Sequence, residues 1–513
     1  MNPSPRAFLR AHGSKWGSRL TVLLVVLVVA LVAGEQFLTP DKRIVQLVAA
    51  GLVVLLAFRF RAIEGLMLTV LFLPFPKGTS YGSTNVAFVL LIFIVWLYRV
   101  STRRASPPEG TRLDLPILAL LMAYALSFYN IDSPEHLPAA FSLFAGLLTY
   151  LLLLFMVVNI VKTTEDVRKI FLIQTVSCVL LGLFAVYEQG HPGGTIVPGW
   201  IQLAASEGLR SGSVRVGSTF LDYELYGEYC VLNLFLQFFL WTRATSRTQR
   251  VVLAGIMALT FFCLFATVTR GALISFGVGS AYLIWLSRKR LNFVRLTMVL
   301  CLAIGAIAGA DFIVSTFTSS GSVLARLFGT KLEGGVMPDS RAMVWSQAFG
   351  NVLEHPIIGH GPYYAARKGV EVQYWPHNVY LFYAYIVGFV GLACYLLVLW
   401  QLWRSSRPRA LSLGDGTFIQ GATLLTRVML FTFIIDQIKI DYLRNNVYSF
   451  YVWFMFGMIY AVGRVADREA KGLVVEPARG EHAEARPFGA RSPGVASRPA
   501  VPRVASSPAV PLS

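Results

Sequence analysis

A chain of 513 residues that is 55% apolar and only 14% charged, with a mean hydropathy of +0.61, excludes an ordinary soluble enzyme and fits a polytopic membrane protein. The net charge of +18 does not mark a nucleic-acid binder: of the 45 Lys and Arg, 31 fall in segments on one side of successive apolar runs and 13 on the other, the asymmetry of the positive-inside rule. Cys178, Cys230, Cys263, Cys301 and Cys394 all lie in apolar runs, so neither a disulfide framework nor a metal site is read from them.

In chain order, residues 1–19 form a basic cytoplasmic N-terminus. The apolar run that follows is long and leads into others, so it is not read as a cleaved signal peptide. A helix needs roughly 20 apolar residues to cross a bilayer. That criterion places spans near 20–38, 44–58, 63–73, 85–98, 113–129, 139–161, 170–187, 219–241, 251–268, 271–286, 296–314, 377–402, 417–436 and 446–463. The fold class is therefore all-α and polytopic, with about 14 transmembrane helices (range 12–14). The run 63–73 is short and stops at Pro74 and Pro76. The run 251–286 must be two helices, turning at Thr269-Arg270-Gly271, because one helix would be far longer than the bilayer is thick. The integral domain spans 20–463, with periplasmic loops 188–218 and 315–376 and both termini cytoplasmic. From 464 to 513 the chain turns to Ala, Pro, Arg, Ser and Val without periodicity and reads as a disordered cytoplasmic tail.

The loop 315–376 is the longest polar segment between apolar runs. Within it, Ser340 to Glu354 has helical spacing, with Val344, Trp345, Ala348, Phe349, Val352 and Leu353 as an apolar stripe and Asp339 or Ser340 as the cap. Such an amphipathic helix lies on, or packs into, the membrane surface. His355-Pro356 ends it, and the glycines and prolines around His355 and His360 read as a tight turn. No histidine pair here has the spacing of a zinc site.

Four arginines collect on the outer side: Arg210, Arg215, Arg270 and Arg341. Their planar forks suit a phosphate, and Arg270 stands at a helix start, where backbone N–H groups favour an anion. The competing reading is that each snorkels to lipid headgroups. His377 opens the span after the loop and is the candidate for proton transfer, or else an interfacial anchor; the neighbouring Asn378 is a candidate N-cap. Asp222, Glu224 and Glu228 are placed to orient an arginine or to act as a base. Arg427 is the one strong base inside a span and so a functional candidate.

Three segments resemble the bacterial O-antigen ligase and Wzy-type polysaccharide polymerase superfamily. They are Arg215-Val216-Gly217-Ser218-Thr219-Phe220 through Asp222-Tyr223-Glu224; Thr269-Arg270-Gly271-Ala272; and Ser340-Arg341, Trp345, His355-Pro356, Gly359, Gly361, His377-Asn378, Gly388 and Gly391. The family's usual Asn is Glu224 here, its Ser before the turn arginine is Thr269, and His360 replaces an apolar residue. The resemblance implies a glycosyltransferase of the bacterial inner membrane that works on the periplasmic face. It would move glycan from undecaprenyl diphosphate to an acceptor glycan, lipid A–core or protein, with inversion and with neither cofactor nor metal. By position, Arg215, Arg270 and Arg341 would hold the diphosphate and His377 would be the general base. A polymerase would make exopolysaccharide or O-antigen beside a flippase and a chain-length regulator; a ligase would act in lipopolysaccharide assembly. About fourteen spans, against the twelve or so of typical ligases, favour the polymerase. The reading from another class is a flippase or transporter, which should show internal repeats and charges along a midplane path; neither is visible.

Overall fold

The structure is a computed structural model, described over residues 61–473 except 77, 80–81, 192–194, 198–200, 203–214, 291–304, 306, 317, 319–321 and 325–338, and 365–375. The expected spans 20–38 and 44–58, most of 296–314, and Arg210 lie outside the described residues.

The described chain is helical: α1 (Ala62–Phe72), α2 (Thr84–Ser101), α3 (Asp114–Ser127), α4 (Leu137–Ile160), α5 (Thr164–Gly190), α6 (Tyr223–Thr242), α7 (Arg247–Ala266), α8 (Arg270–Ser287), α9 (Ile307–Thr316), α10 (Asp339–Glu354), α11 (Val379–Ser405), α12 (Phe418–Asp436) and α13 (Asn446–Ala470). Two small antiparallel hairpins, Gly78–Thr79 with Gly82–Ser83 and Thr195–Val197 with Ile201–Gln202, are the described strands. Seven of the described helices are long and apolar enough to cross a membrane: α2, α4, α5, α7, α11, α12 and α13. The run 251–286 is two helices, α7 and α8, and α1 is as short as Pro74 requires.

Caps explain several starts. Thr163 with Asp166, Ser246 with Gln249 and Thr417 with Gln420 form reciprocal capping boxes on α5, α7 and α12, each satisfying two orphan groups. The central helix is α13, buried along nearly its whole length against α4, with α12 and α11 beside it. This helix continues to Ala470, seven residues into the range 464–513 expected as a tail, because the first residues after Gly463 have partners. Val465 and Ala466 are buried; Arg464 and Arg468 bind Glu109, and Arg409 binds Asp467. Composition alone does not show such contacts.

The most consequential irregularity is in α11. Gly388 has φ +69° and ψ −176°, which breaks the helix about 13 Å beyond its start. The groups released by the break are taken up by the turn that follows α10. His360 N donates to Tyr385 O (2.8 Å) and Gly361 N to Ile386 O (3.1 Å). Phe389 N donates to Pro356 O (2.7 Å) and Val390 N to Ile357 O (3.3 Å). Non-helical backbone at membrane depth survives only where protein satisfies it, and this exchange does so. The approach is so close that a Cβ on Gly388 would lie 2.2 Å from Ile357 O, and one on Gly359 (φ +73°) 2.5 Å from the Ile386 carbonyl carbon.

The turn thus anchors α10, which packs on α11. The expected apolar stripe divides. Ala348 and Val352 are buried, whereas Phe349 and Leu353, with Met343, face outward as a second apolar surface suited to lipid.

Replacing Gly388 or Gly359 with Ala is expected to lower the unfolding temperature of the detergent-purified protein by several degrees. The left-handed backbone alone costs roughly 1–2 kcal/mol for a residue with a Cβ. Replacing exposed Gly414 with Ala should leave it unchanged.

Candidate functional site

One end of the bundle gathers the start of α6, the α7–α8 turn, the end of α12, the start of α11 and the turn before α13. There a pocket of about 150 Å³ is lined by Arg215, Tyr223, Glu224, Val268 to Ala272, Asp436, Lys439 and Ile440. Three of the lining residues are cationic and two acidic.

Arg270 is the first residue of α8. Thr269 before it does not cap the helix with its side chain. Its hydroxyl donates toward the Thr267 and Tyr223 carbonyls and accepts from Arg215 Nη2 (3.3 Å). The positive end of α8, with Gly271 and Ala272, therefore lines the pocket, a place that favours an anion. Lys439 crosses directly over Gly271, where a Cβ would lie 2.7 Å from Nζ. Its ammonium pairs with buried Asp436, which also accepts from Ser275.

Arg215 is buried and committed to the frame. Its Nε donates to Thr267 O (3.1 Å) and its Nη2 to Val268 O (3.2 Å), while the guanidinium carbon lies 3.2 Å over the Tyr223 ring. Val268 itself is held at φ +50°, uncommon for a β-branched residue, and Arg215 binds the carbonyl of that strained unit. These carbonyls and Tyr223 orient Arg215, and Glu224 lines the same pocket.

Glu224 serves another arginine. Arg444, in the short turn Tyr442–Arg444 between α12 and α13, donates from Nη2 to Asp222 Oδ1 (2.9 Å) and Glu224 Oε2 (2.7 Å). From Nη1 it donates to His377 Nδ1 (2.7 Å). Burial alone would lower its pKa, but the two carboxylates outweigh that and raise it above the usual guanidinium value. Burial also pushes Asp222 up, against the pull of Arg444. Asp222 in addition caps α6 through the N–H groups of Glu224 (2.9 Å) and Leu225 (3.1 Å).

His377 sits at φ +46°. Trp345 Nε1 of α10 donates to the carbonyl of Pro376 just before it (3.0 Å), and Asn378 just after it caps α11 through Tyr380 N (2.9 Å) and Leu381 N (3.1 Å). The loop helix thus holds His377 in place, and Asn378 is a cap. Arg341 lies one turn before Trp345 on α10; only its backbone position is described.

Two candidates fall elsewhere. Arg427 bonds Ser406 O (3.1 Å), lies 3.8 Å over the Trp403 ring and is about 13 Å along α12 from Asp436. His360 is buried in the turn, its Nε2 2.7 Å from Asn351 O and its ring stacked on Tyr385. Lys439 and Arg444 were not singled out from the sequence, although two cations between the last spans, on the side expected to be outer, run against the positive-inside trend.

Arg215→Ala removes two buried hydrogen bonds from a charged donor to backbone carbonyls, each worth about 1.5–3 kcal/mol. It is expected to lower the unfolding temperature clearly, and Arg215→Lys to recover less than half, because an ammonium lacks the fork. An unchanged melting curve for the alanine variant would show that Arg215 does not hold the turn.

No curated protein matches the chain. Residues 255–396 match the family model described as O-Antigen ligase. The matched segment runs from within α7 to the middle of α11, so it carries Arg270, Arg341, His377, Gly388 and Gly391 but neither Arg215 nor Arg444. The chain is a membrane protein, and over residues 255–396 it is similar to the O-antigen ligase family, which bears out the resemblance for that segment.

Proposed function

We propose that this protein transfers glycan from an undecaprenyl-diphosphate carrier to an acceptor hydroxyl at the periplasmic face of the inner membrane, most directly as a polymerase of lipid-linked repeat units. One observation carries the reading. Arg270, Lys439 and the N-terminus of α8 line a single pocket, with Arg215 in its wall, and Glu224 and Arg444 connect that pocket to His377.

In the transfer, the acceptor oxygen bonds to C1 of the donor sugar while the bond from C1 to the phosphate oxygen breaks. The electron pair leaves on the diphosphate, and a single displacement inverts C1. Negative charge grows on the leaving group, so fixed cations and helix-end N–H groups stabilise the transition state more than the ground state. Arg341, on the helix that anchors His377, is proposed as a further cation of the set from the family resemblance alone. Chemistry of this kind asks for no metal and no nucleotide sugar. Transfer to lipid A–core is the second reading, favoured by the description of the matched family as O-antigen ligase.

The test is transfer by purified protein from a defined undecaprenyl-diphosphate glycan, with lipid-linked repeat and lipid A–core as rival acceptors. Product on the repeat supports the polymerase, and product on lipid A–core the ligase. Arg270→Ala and His377→Ala should each lower the rate by about 100-fold or more. Full rate in both variants, or flipping of the glycan without transfer, overturns the reading.

A further inference from the structure

Arg427 is a charge inside a spanning helix with half of its guanidinium unused. The residue is only 6% exposed, on α12. Its Nε donates to Ser406 O (3.1 Å), just past the end of α11, and its guanidinium carbon lies 3.8 Å over the Trp403 ring. Those contacts take up one edge and one face of the group. Among the described residues the two Nη groups have no hydrogen-bond partner, and they are not sealed inside the protein. Charges in a bilayer almost always face a partner, because an uncompensated one is costly there.

The neighbours do not supply that partner. Arg407 is near enough to repel Arg427, Arg404 stands in the last turn of α11, and Arg288 lies 4.8 Å over the Trp285 ring. Among the described residues no carboxylate pairs with any of these four arginines. Acids at this end of the bundle are already engaged: Asp467 binds Arg409, and Glu109 binds Lys162, Arg464 and Arg468. The result is a local surplus of positive charge with an open guanidinium edge at its centre.

Aromatic rings fix the depth of that edge. Trp403 and Tyr282 are partly exposed, and Trp285 and Trp400 are more than half exposed. Tyr282 stacks on Phe431 (4.0 Å) and reaches Trp285 (5.7 Å) and Trp403 (6.4 Å). Outward-facing Trp and Tyr collect at the level of the lipid headgroups. This belt joins α8, α11 and α12 at the end of the bundle remote from the pocket, the side expected to be cytoplasmic.

We infer that Arg427, on the aromatic wall between α8, α11 and α12, is the binding site for the phosphate of an anionic phospholipid in the leaflet far from the pocket. The free Nη edge presents two N–H groups side by side, the fork that two phosphate oxygens accept. Trp403 holds the plane of the fork, and the ring wall covers the glycerol and upper acyl carbons. The surplus of arginines selects a headgroup with net negative charge over a zwitterionic one, as basic pockets between spanning helices do. The site is separate from the transfer reaction and does not depend on it.

The experiment follows thermal unfolding of the delipidated full chain in detergent with added phosphatidylglycerol, phosphatidylcholine or inorganic phosphate, and counts retained lipid by native mass spectrometry. Phosphatidylglycerol is expected to raise the unfolding temperature of the wild type by several degrees, since a ligand of the folded state alone stabilises it. Phosphatidylcholine and inorganic phosphate should each give less than half of that shift. Arg427→Met, which keeps the apolar stem, should lose at least half of the shift and one tightly held phosphatidylglycerol. Arg427→Lys, which keeps the charge without the fork, should fall between the two. Arg247→Ala, an exposed arginine at the start of α7, should keep the whole shift. An equal shift in the wild type and Arg427→Met overturns the inference, as does an equal shift with the two lipids. A full shift with inorganic phosphate overturns it too, because the site would then take a free anion. If Arg427→Met does not elute as a monodisperse species, Arg427→Lys carries the comparison, and an undiminished shift there overturns the inference.

Discussion

The backbone exchange between Gly388 and the turn at Gly359 is the constraint on which the rest of the site depends. A helix break in the middle of a span leaves N–H and C=O groups where water is absent, and each one unpaired costs several kcal/mol. The turn from Pro356 to Gly361 supplies all four partners. Both glycines are needed because the two backbones approach within the space a Cβ would occupy. By satisfying the break, the turn pins the end of α10 beside α11. That in turn lets Trp345 reach the carbonyl of Pro376 and fixes the strand of chain carrying His377. A loop that composition marks only as polar becomes a structural clamp.

Strain and charge are concentrated at the same end of the molecule. Of the five described non-glycine residues with positive φ, four (Ser218, Leu221, Val268 and His377) lie in the segments that build or flank the pocket, and only Arg103 lies elsewhere. Conformations of this kind cost roughly 1–3 kcal/mol each and persist where surrounding bonds over-determine them. Arg215 does so for Val268, and Trp345 with Asn378 for His377. The charges follow the same pattern: Arg444 is matched by Asp222 and Glu224, and Lys439 by Asp436. Removing one member of such a pair leaves an uncompensated buried charge, which is why the pocket reads as a fixed electrostatic frame and not as loose surface arginines.

The sequence made some of this legible. Apolar runs of spanning length, the proline stop after α1 and the forced division of 251–286 all follow from the physics of a bilayer. So did the amphipathic period of α10, the turn around His360 and the cap at Asn378, because these are local. Long-range pairing was not legible. Arg215 is expected from the sequence as a phosphate ligand, and the sequence does not show that its guanidinium also holds carbonyls 52 and 53 residues away. Arg444 and Lys439 drew no attention, since nothing local distinguishes a cation that meets a carboxylate from another segment. The helix runs past 463 for the same reason: Arg464 and Arg468 find Glu109 more than 350 residues earlier in the chain.

By itself, the sequence determined that this is a helical membrane protein, because hydropathy, charge asymmetry and turn chemistry act over a few residues at a time. Only the tertiary structure decided which of those residues share a pocket. It alone also brought Arg444 to His377. Those facts depend on hydrogen bonds between segments far apart in the chain, and the direction of such bonds is fixed by three-dimensional geometry.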